Sequence, residues 1–509
     1  MQKKRILIIL LLIFLSSYFV YAYSAKEFLE DYKNLISGKA IEKQNDGNFF
    51  KKISSFFKNI FKRESVGSKI NDEQELKVSE LNNELLQVNE EYKQINDEEK
   101  LNQLIELSKT RKEKLINLMQ EDPKKALEIV IGDEIRKNLP LEVQGNIEKK
   151  VEQEGTLNVI YADDFENPEN SRILYEFVDD NFNKINFYPD ENLNLISSTK
   201  VRLKGYQLEN NLLTEVSQEN LKVLISPSNE DNLGEQKTVV ILVDWVDENG
   251  SLHPGITNEE AEKVVFQEAN DYFKENSYGK TWLTGKVVGP YKTNEKCFGG
   301  IDLADSDVYF PNYSRIIIFY PVYLREIGLC GFDGFASLGK VSFLTKDGNI
   351  KASYSTNLRK NLWVVGHELG HNFGVWHSNL LDCSGIGNFK PYLCDVDYYG
   401  DPFDIMGNKG TRVFELTPHL NSHHKEKVGW ISREESVITT NGEYNLIPLE
   451  ISSYGAYGLK SIKIPNPSRD FFYYLEYRQP IGFDKGFKDS LYQGILFHIG
   501  KLYDDDTLL

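Results

Sequence analysis

The chain has 509 residues, of which 40% are hydrophobic and 27% charged, a composition that is typical of globular proteins and excludes wholesale disorder. Its length predicts several domains. The net charge of −18 argues against a general nucleic-acid binder, and four cysteines are too few for a disulfide-dense scaffold.

The N-terminus has the pattern of a secretory signal peptide. Basic residues at 3–5 precede an apolar run at 6–15, and residues 20–22 offer a cleavage site. A retained membrane anchor is the alternative, because the run is close to the minimum length that spans a bilayer. We therefore expect residues 1–22 to be removed and the mature protein to be secreted, extracellular or at the cell surface.

Residues 23–153 are predicted to form a charged, helical N-terminal region. Phenylalanine and isoleucine recur at helical spacing over 49–63 between basic residues, so this stretch can associate with a membrane or cell surface; a helix packed on its own protein is the alternative. A short heptad pattern breaks near 96–100, which favours two or three antiparallel helices over one coiled coil. Asp122 followed by Pro123 predicts a helix start.

Residues 154–225 predict a small β domain. Strands are expected at Leu157–Tyr161, Lys200–Gln207 and Leu212–Val216, with a hairpin turn before the last of them. Residues 226–236 are polar and rich in turn formers, which predicts a linker.

From Thr238 onward the pattern becomes α/β. Buried strands are expected at Val239–Val243, Thr281–Val288 and Arg315–Tyr320, and the spacing of Thr257 and Glu260 predicts a capping box that starts a helix. Residues 433–509 predict a β-rich C-terminal domain, and the abrupt apolar end of the sequence is consistent with a truncated chain.

The segment 367–377 carries the strongest chemical signal. His367 and His371 are four residues apart and share one face of a helix, while Gly374 can end that helix in a left-handed conformation and let His377 reach the same ion. Three neutral imidazoles leave one position of a tetrahedral zinc ion open, which is the catalytic arrangement, and Glu368 is placed to act as general base. This five-position pattern arises by chance in roughly one such chain in 10⁵.

A methionine strengthens the motif. Met406, in the sequence Asp-Ile-Met-Gly, follows His377 by 29 residues and is one of three methionines in the chain. With this Met-turn, residues 237–430 resemble the catalytic domain of the gametolysin-like branch of the metzincin zinc peptidases. Residues 275–280 and 421–430 are similar to segments of that branch; immune-inhibitor-type peptidases share the second segment but usually lack the third histidine.

The resemblance implies a multidomain protein whose α/β metzincin-like catalytic domain, residues 237–432, follows a helical plus small β pro-region and precedes the β-rich domain. It also implies one catalytic Zn²⁺ and a secreted zinc endopeptidase that cleaves extracellular or cell-surface proteins through a zinc-activated water, with Glu368 as general base. Metzincin substrates usually lie antiparallel to an edge strand, which Gly334-Phe335-Ala336 resembles; a glycine-bounded loop is the alternative.

The remaining histidines and the cysteines are expected to be structural. His423 and His424 lie outside the motif, and a further ligand would fill the open metal position. Two disulfides are expected, with the pairing Cys297–Cys330 and Cys383–Cys394 favoured among three possible connectivities. A four-cysteine zinc site is the alternative, but the paired Cys-x-x-Cys spacing is absent.

Residues 23–236 are expected to restrain the catalytic domain as a pro-region. They contain no cysteine, so a direct block of zinc must come from a carboxylate or from steric cover, and Asp163 and Asp164 are the candidates. A permanent surface-binding module is the alternative for this region. For the whole chain, the alternative to a peptidase is a non-catalytic surface-binding protein on a metzincin shell, against which the presence of Glu368 and all three histidines argues.

Overall fold

The computed structural model describes residues 68–228, 230–295, 297, 300–383, 394–407, 417–452, 458–466, 471–487, 494–500 and 507–508. The expected signal peptide at 1–22 and the amphipathic stretch at 49–63 lie outside these residues. Within the described ranges, no helix is both long enough and apolar enough to cross a membrane.

The protein is multidomain. Helices form the first described part of the chain, and two sheets contain the strands that follow. The α-helices are α1 Ser68–Ile95, α2 Glu98–Glu121, α3 Pro123–Glu128, α4 Asp133–Lys137, α5 Leu141–Gln144, α6 Asn258–Glu262, α7 Asn270–Asn276, α8 Gly300–Ala304, α9 Tyr323–Glu326, α10 Leu362–Asn372 and α11 Ser422–Lys427. The strands are β1 Lys149–Asp163, β2 Arg172–Asp179, β3 Lys184–Pro189, β4 Lys200–Leu208, β5 Asn211–Thr214, β6 Leu221–Ile225, β7 Gly234–Val246, β8 Leu252–His253, β9 Thr281–Thr293, β10 Arg315–Phe319, β11 Gly334–Ser337, β12 Val341–Thr345, β13 Gly348–Asn357, β14 Ser378–Asp382, β15 Asp395–Asp397, β16 Ser436–Ile438, β17 Ser461–Pro465, β18 Phe472–Glu476, β19 Leu496–Gly500 and β20 Thr507–Leu508.

The N-terminal helices form an antiparallel pair, as the break in the heptad pattern predicted. Asn96, at φ +53°, turns the chain between α1 and α2, and the side chain of Gln74 at the start of α1 donates to Glu121 at the end of α2 over 2.8 Å. Asp122 caps α3 by accepting a hydrogen bond from the backbone N–H of Lys125. The two helices therefore pack against each other instead of continuing as one coiled coil.

A buried ion pair joins these helices to the strand that follows. Both terminal guanidinium nitrogens of Arg111, on α2, donate to the carboxylate of Glu148 over 2.7 Å. Glu148 immediately precedes β1, so the pair fixes the start of that strand to the helical pair.

The large sheet contains thirteen of the described strands, in the order β6-β4-β5-β3-β2-β1-β11-β13-β10-β7-β8, with β12 on β13 and β9 on β7. The long strand β1 connects its two halves. The first part of β1 pairs with β4, the second with β2, and its end with β11, all antiparallel. The predicted small β domain and the α/β region thus share one continuous sheet, which local sequence pattern does not reveal because the β1–β11 pairing is non-local.

The α/β region follows the expected pattern with longer elements. Strands β9, β7, β10 and β13 run parallel, and the backbone and side-chain bonds of the predicted capping box at Thr257 and Glu260 are both present. The helix continues from α6 through a π-helical stretch, Lys263–Ala269, into α7. Strand β7 begins at Gly234, so the end of the predicted linker is already part of the sheet.

The second sheet has the order β15-β14-β20-β19-β18-β17-β16. Two of its strands, β14 and β15, precede residue 433, so the C-terminal region shares its sheet with the segment that follows the zinc motif. A buried cluster lies beside this sheet: the guanidinium of Arg478 contacts Glu450 and Glu476 at 3.0 Å and donates from Nε to Asp484 over 2.7 Å. We call these four residues the Arg478 cluster.

Candidate metal centre

The zinc motif lies on a short helix whose ends are well defined. The side chain of Asn361 caps α10 by accepting from the N–H of Val364 over 2.9 Å, and every residue from Trp363 to Asn372 is buried. After the helix, Gly374 takes a φ of +90° and the N–H of Val375 bonds back to the carbonyl of Gly370. The chain reverses at this point and brings His377 beside the helix.

The three motif histidines converge on one point. The Nε2 atoms of His371 and His377 are 3.1 Å apart. The Nδ1 atoms of His367 and His371 each lie 2.9 Å from a backbone carbonyl, of Ile405 and Val375 respectively. A carbonyl can only accept, so Nδ1 carries the proton in both rings and Nε2 is the free donor atom.

Burial favours the neutral form of His367 and His377. Burial lowers the pKa of His377 to about 4 and that of His367 well below its usual value, although the nearby carboxylate of Asp163 opposes both shifts. Neutral imidazole is the form that binds a metal ion.

The fourth group at this point is Asp163, from the end of β1. Its carboxylate oxygens lie 2.9 Å from Nε2 of His377, 3.2 Å from Nε2 of His371 and 3.7 Å from Nε2 of His367. One donor atom from each of the four residues lies within 4.8 Å of the others.

Glu368 is fully buried beside these groups. Among the described residues, neither of its carboxylate oxygens has a hydrogen-bond partner, and Nε2 of His367 also has none. Burial raises the pKa of Glu368 well above its usual value, with smaller contributions from Asp163 and Asp333. Each unpartnered buried polar atom lowers the stability of the fold by about 1–3 kcal/mol. Such atoms beside the histidines indicate a site that a metal ion would complete.

These residues therefore could hold a metal ion. Imidazole and carboxylate donors suit several transition metals, and zinc is one of them.

Met406 lies directly beneath the helix. It is fully buried, and a Cβ on Gly370 would overlap its sulfur atom. Asp404 shapes the turn by accepting from the N–H of Met406 and from Nδ1 of His424, both over 2.8 Å. The expected Met-turn residue thus supports the helix from below, and His424 contacts the carboxylate of Asp404.

Gly334, Phe335 and Ala336 form strand β11, so the glycine-bounded loop considered as an alternative is wrong, but the strand lies inside the sheet and not at the predicted edge. The strand pairs with β13 on one side and with β1 on the other, where Asp163 is opposite Gly334. A Cβ on Gly334 would overlap the carboxylate of Glu368. Glycine at this position allows the strand to approach the carboxylate.

Tyr399 belongs to the site but was not predicted. Its hydroxyl donates to Asp163 Oδ1 over 2.5 Å, and its oxygen lies 2.9 Å from the hydroxyl oxygen of Ser171. Its backbone has a φ of +56°, which is uncommon for a tyrosine, and the side chain of Asn379 accepts from its N–H over 2.9 Å. Tyr399 lies outside every recognisable motif, and no local signal in the sequence indicates it.

Both predicted disulfides, Cys297–Cys330 and Cys383–Cys394, are present, and no cysteine is free. The alternative of a four-cysteine zinc site is therefore wrong. The second bridge joins the residue after β14 to the residue before β15.

No protein-family model and no curated protein matches this chain.

Proposed function

We propose that the protein is a secreted zinc-dependent endopeptidase of the metzincin type, similar to the gametolysin-like peptidases, that cleaves proteins outside the cell. The observation that carries the proposal is the buried group of His367, His371 and His377 beside Glu368, whose carboxylate has no hydrogen-bond partner in the described chain. The two disulfides are compatible with an extracellular location.

The three histidines would hold the ion, and their Nδ1 contacts to backbone carbonyls fix the ring orientations. When bound, zinc polarises the scissile carbonyl and lowers the pKa of water. Glu368 accepts the proton from the attacking water and delivers it to the leaving amine. The backbone of β11 positions the peptide as an added antiparallel strand.

The competing proposal is a non-catalytic protein in which Asp163 is a permanent fourth ligand. Four protein ligands around one ion are typical of structural zinc sites, and Asp163 is close enough to complete such a set. Glu368 argues against this alternative, because a structural site gives no reason to bury an unpartnered carboxylate at the metal.

The test measures metal content and peptide hydrolysis on the same preparations. His371→Ala should lose stoichiometric zinc, whereas His253→Ala should keep it, because His253 stacks on Tyr323 away from the metal-binding group. Hydrolysis is compared in the native chain and in the Asp163→Ala chain, since Asp163 contacts the ligands. If zinc is bound and neither chain cleaves any of a mixture of peptides, even after a protease that is then removed has cut it between the exposed residues Ser226 and Leu233, the protein is not the peptidase proposed here.

A further inference from the structure

We propose that residues 161–165 are a built-in inhibitor, which lies in the peptide-binding groove in the direction of a substrate and presents Asp163 to the metal position. We call them the inhibitory segment. The inference rests on the proposed function and adds its regulation: the chain is folded in a latent form, and the segment must leave before a substrate can enter.

The first observation is the backbone pairing. Strand β1 runs antiparallel to β11, with Tyr161 opposite Ala336 and Asp163 opposite Gly334. The N–H of Asp333 donates to the carbonyl of Asp163 over 2.7 Å, and the N–H of Leu338 donates to the carbonyl of Val159 over 2.8 Å. The other side of β11 is occupied by β13. A peptide substrate and β1 must therefore compete for the same side of β11.

The second observation is the position of the carboxylate. Asp163 is fully buried, and both of its oxygens face the Nε2 atoms of the motif histidines, the closest at 2.9 Å. The hydroxyl of Tyr399 donates to the same carboxylate. With an ion held by the three histidines, Asp163 would be the fourth protein donor and would close the position that catalysis needs open.

The third observation is an apolar anchor on the far side of Asp163. The buried ring of Phe165 packs edge-on against Trp363 and His367, with ring centroids 4.4 and 4.9 Å apart. The N–H of Phe165 donates to Asp333 over 3.1 Å. Because β1 has the direction of a substrate, Phe165 occupies the pocket for a residue on the C-terminal side of the scissile bond.

The fourth observation is that two arginines of the catalytic region form ion pairs with the inhibitory segment and with the residue that follows it. Arg325 donates to Asp164 over 2.7 Å, and Arg359 donates to both Asp333 and Glu166 over 2.7 Å. These contacts do not involve the metal-binding group. The segment is therefore fixed by pairing, by an apolar pocket and by ion pairs, in addition to Asp163 itself.

The connection from this segment to the catalytic region is accessible. Ser226, Ser228, Asp231 and Leu233, which precede β7, are exposed. Cutting the chain there would remove the covalent link between β1–β6 and β7, after which only the contacts above would retain the segment.

The test uses the full mature chain in the Glu368→Gln background, which prevents self-cleavage. The protein is loaded with Co²⁺, and its visible absorption reports the binding of acetohydroxamate, a small metal-chelating probe, at the metal. Asp163→Ala should bind acetohydroxamate at least about tenfold more tightly than the parent, because the competing carboxylate is gone. The matched control is Glu152→Gln, an exposed carboxylate on the same strand, which should bind the probe like the parent.

The outcomes are distinguishable. Equal acetohydroxamate affinity in the parent and in Asp163→Ala overturns the inhibitor, and so does loss of cobalt from Asp163→Ala, which would identify Asp163 as a permanent ligand. If Asp163→Ala does not fold, Asp163→Asn, which keeps the shape and removes the charge, must show the same increase. A parent that binds no cobalt overturns the proposed metal site and the inhibitor with it. The Glu368-intact Asp163→Ala chain is also cut between the exposed residues Ser226 and Leu233 by a protease that is then removed. Tighter probe binding in Asp163→Ala without peptide hydrolysis by this cut chain refutes the peptidase alone.

Discussion

Gly334→Ala should disable the proposed peptidase without removing its metal, because the position of Glu368 depends on the missing side chain at residue 334. A Cβ on Gly334 would lie 2.6 Å from Cδ and 2.9 Å from Cγ of Glu368, and would overlap one carboxylate oxygen. To restore an ordinary contact of 3.4 Å, the carboxylate carbon must move by about 0.8 Å. A displacement on the order of 1 Å can lower a rate roughly 10²-fold, so kcat/KM should fall by about that factor.

The assay compares kcat/KM for a peptide substrate in the Asp163→Ala background after a protease, then removed, has cut the chain between Ser226 and Leu233. Zinc content and thermal unfolding are measured alongside. Gly331→Ala is the matched control, because a Cβ there meets nothing within 4 Å. Zinc content should be the same in both variants. If Gly334→Ala cleaves the peptide as fast as Gly331→Ala, then the placement of Glu368 does not limit the reaction and the reasoning is wrong.

Three further predictions concern specificity and stability. In the Asp163→Ala/Phe165→Ala chain, cut between Ser226 and Leu233 by a protease that is then removed, peptides with a large apolar residue after the scissile bond should be cleaved at least about tenfold faster than alanine peptides, since they fill the pocket that the Phe165 ring has left; equal rates would contradict this. Arg478→Met should lower the free energy of unfolding by about 3–5 kcal/mol in urea titrations, because it leaves the buried carboxylates of the Arg478 cluster without their partner. The exposed Arg433→Met should change it by less than about 0.5 kcal/mol, and a similar loss in both would refute the burial argument. Gly370→Ala should cost about 1–3 kcal/mol by the same measurement, since its Cβ overlaps the sulfur of Met406; an unchanged midpoint would contradict this.

The helix of the zinc motif and its end could be predicted because their determinants are local. Helical spacing places His367 and His371 on one face, and Gly374 permits the left-handed turn that its φ of +90° shows. The cap at Asp122 and the capping box at Thr257 are equally local and are present as predicted.

The long-range pairings could not be predicted from the same patterns. The strand predicted at Leu157–Tyr161 covers only the apolar part of β1. The strand extends from Lys149 to Asp163, and most residues of its first half are polar. Its pairing with β11 joins residues far apart in the chain, and nothing in either segment specifies that partner. The C-terminal sheet was incompletely predicted for the same reason, since it includes β14 and β15.

Asp163 and Asp164 illustrate where sequence reasoning stopped. Both were candidates to block the metal, and the sequence pattern alone could not decide which of the two adjacent carboxylates faces it. At the end of a strand, neighbouring side chains point to opposite faces, so Asp163 faces the histidines while Asp164 contacts Arg325. Tyr399, which donates to Asp163, has no signal of this kind.

The most direct test of the central claim is the zinc content and peptide hydrolysis of the Asp163→Ala chain with and without Glu368→Gln, each chain having been cut between Ser226 and Leu233 by a protease that is then removed. Neither carboxylate oxygen of Glu368 has a hydrogen-bond partner in the described chain, so the substitution should leave the fold and the metal in place. We predict one zinc ion per chain in both proteins and a rate that falls by at least about 10²-fold when Glu368 is replaced. Equal hydrolysis by the two proteins, or the absence of zinc from both, would contradict the account.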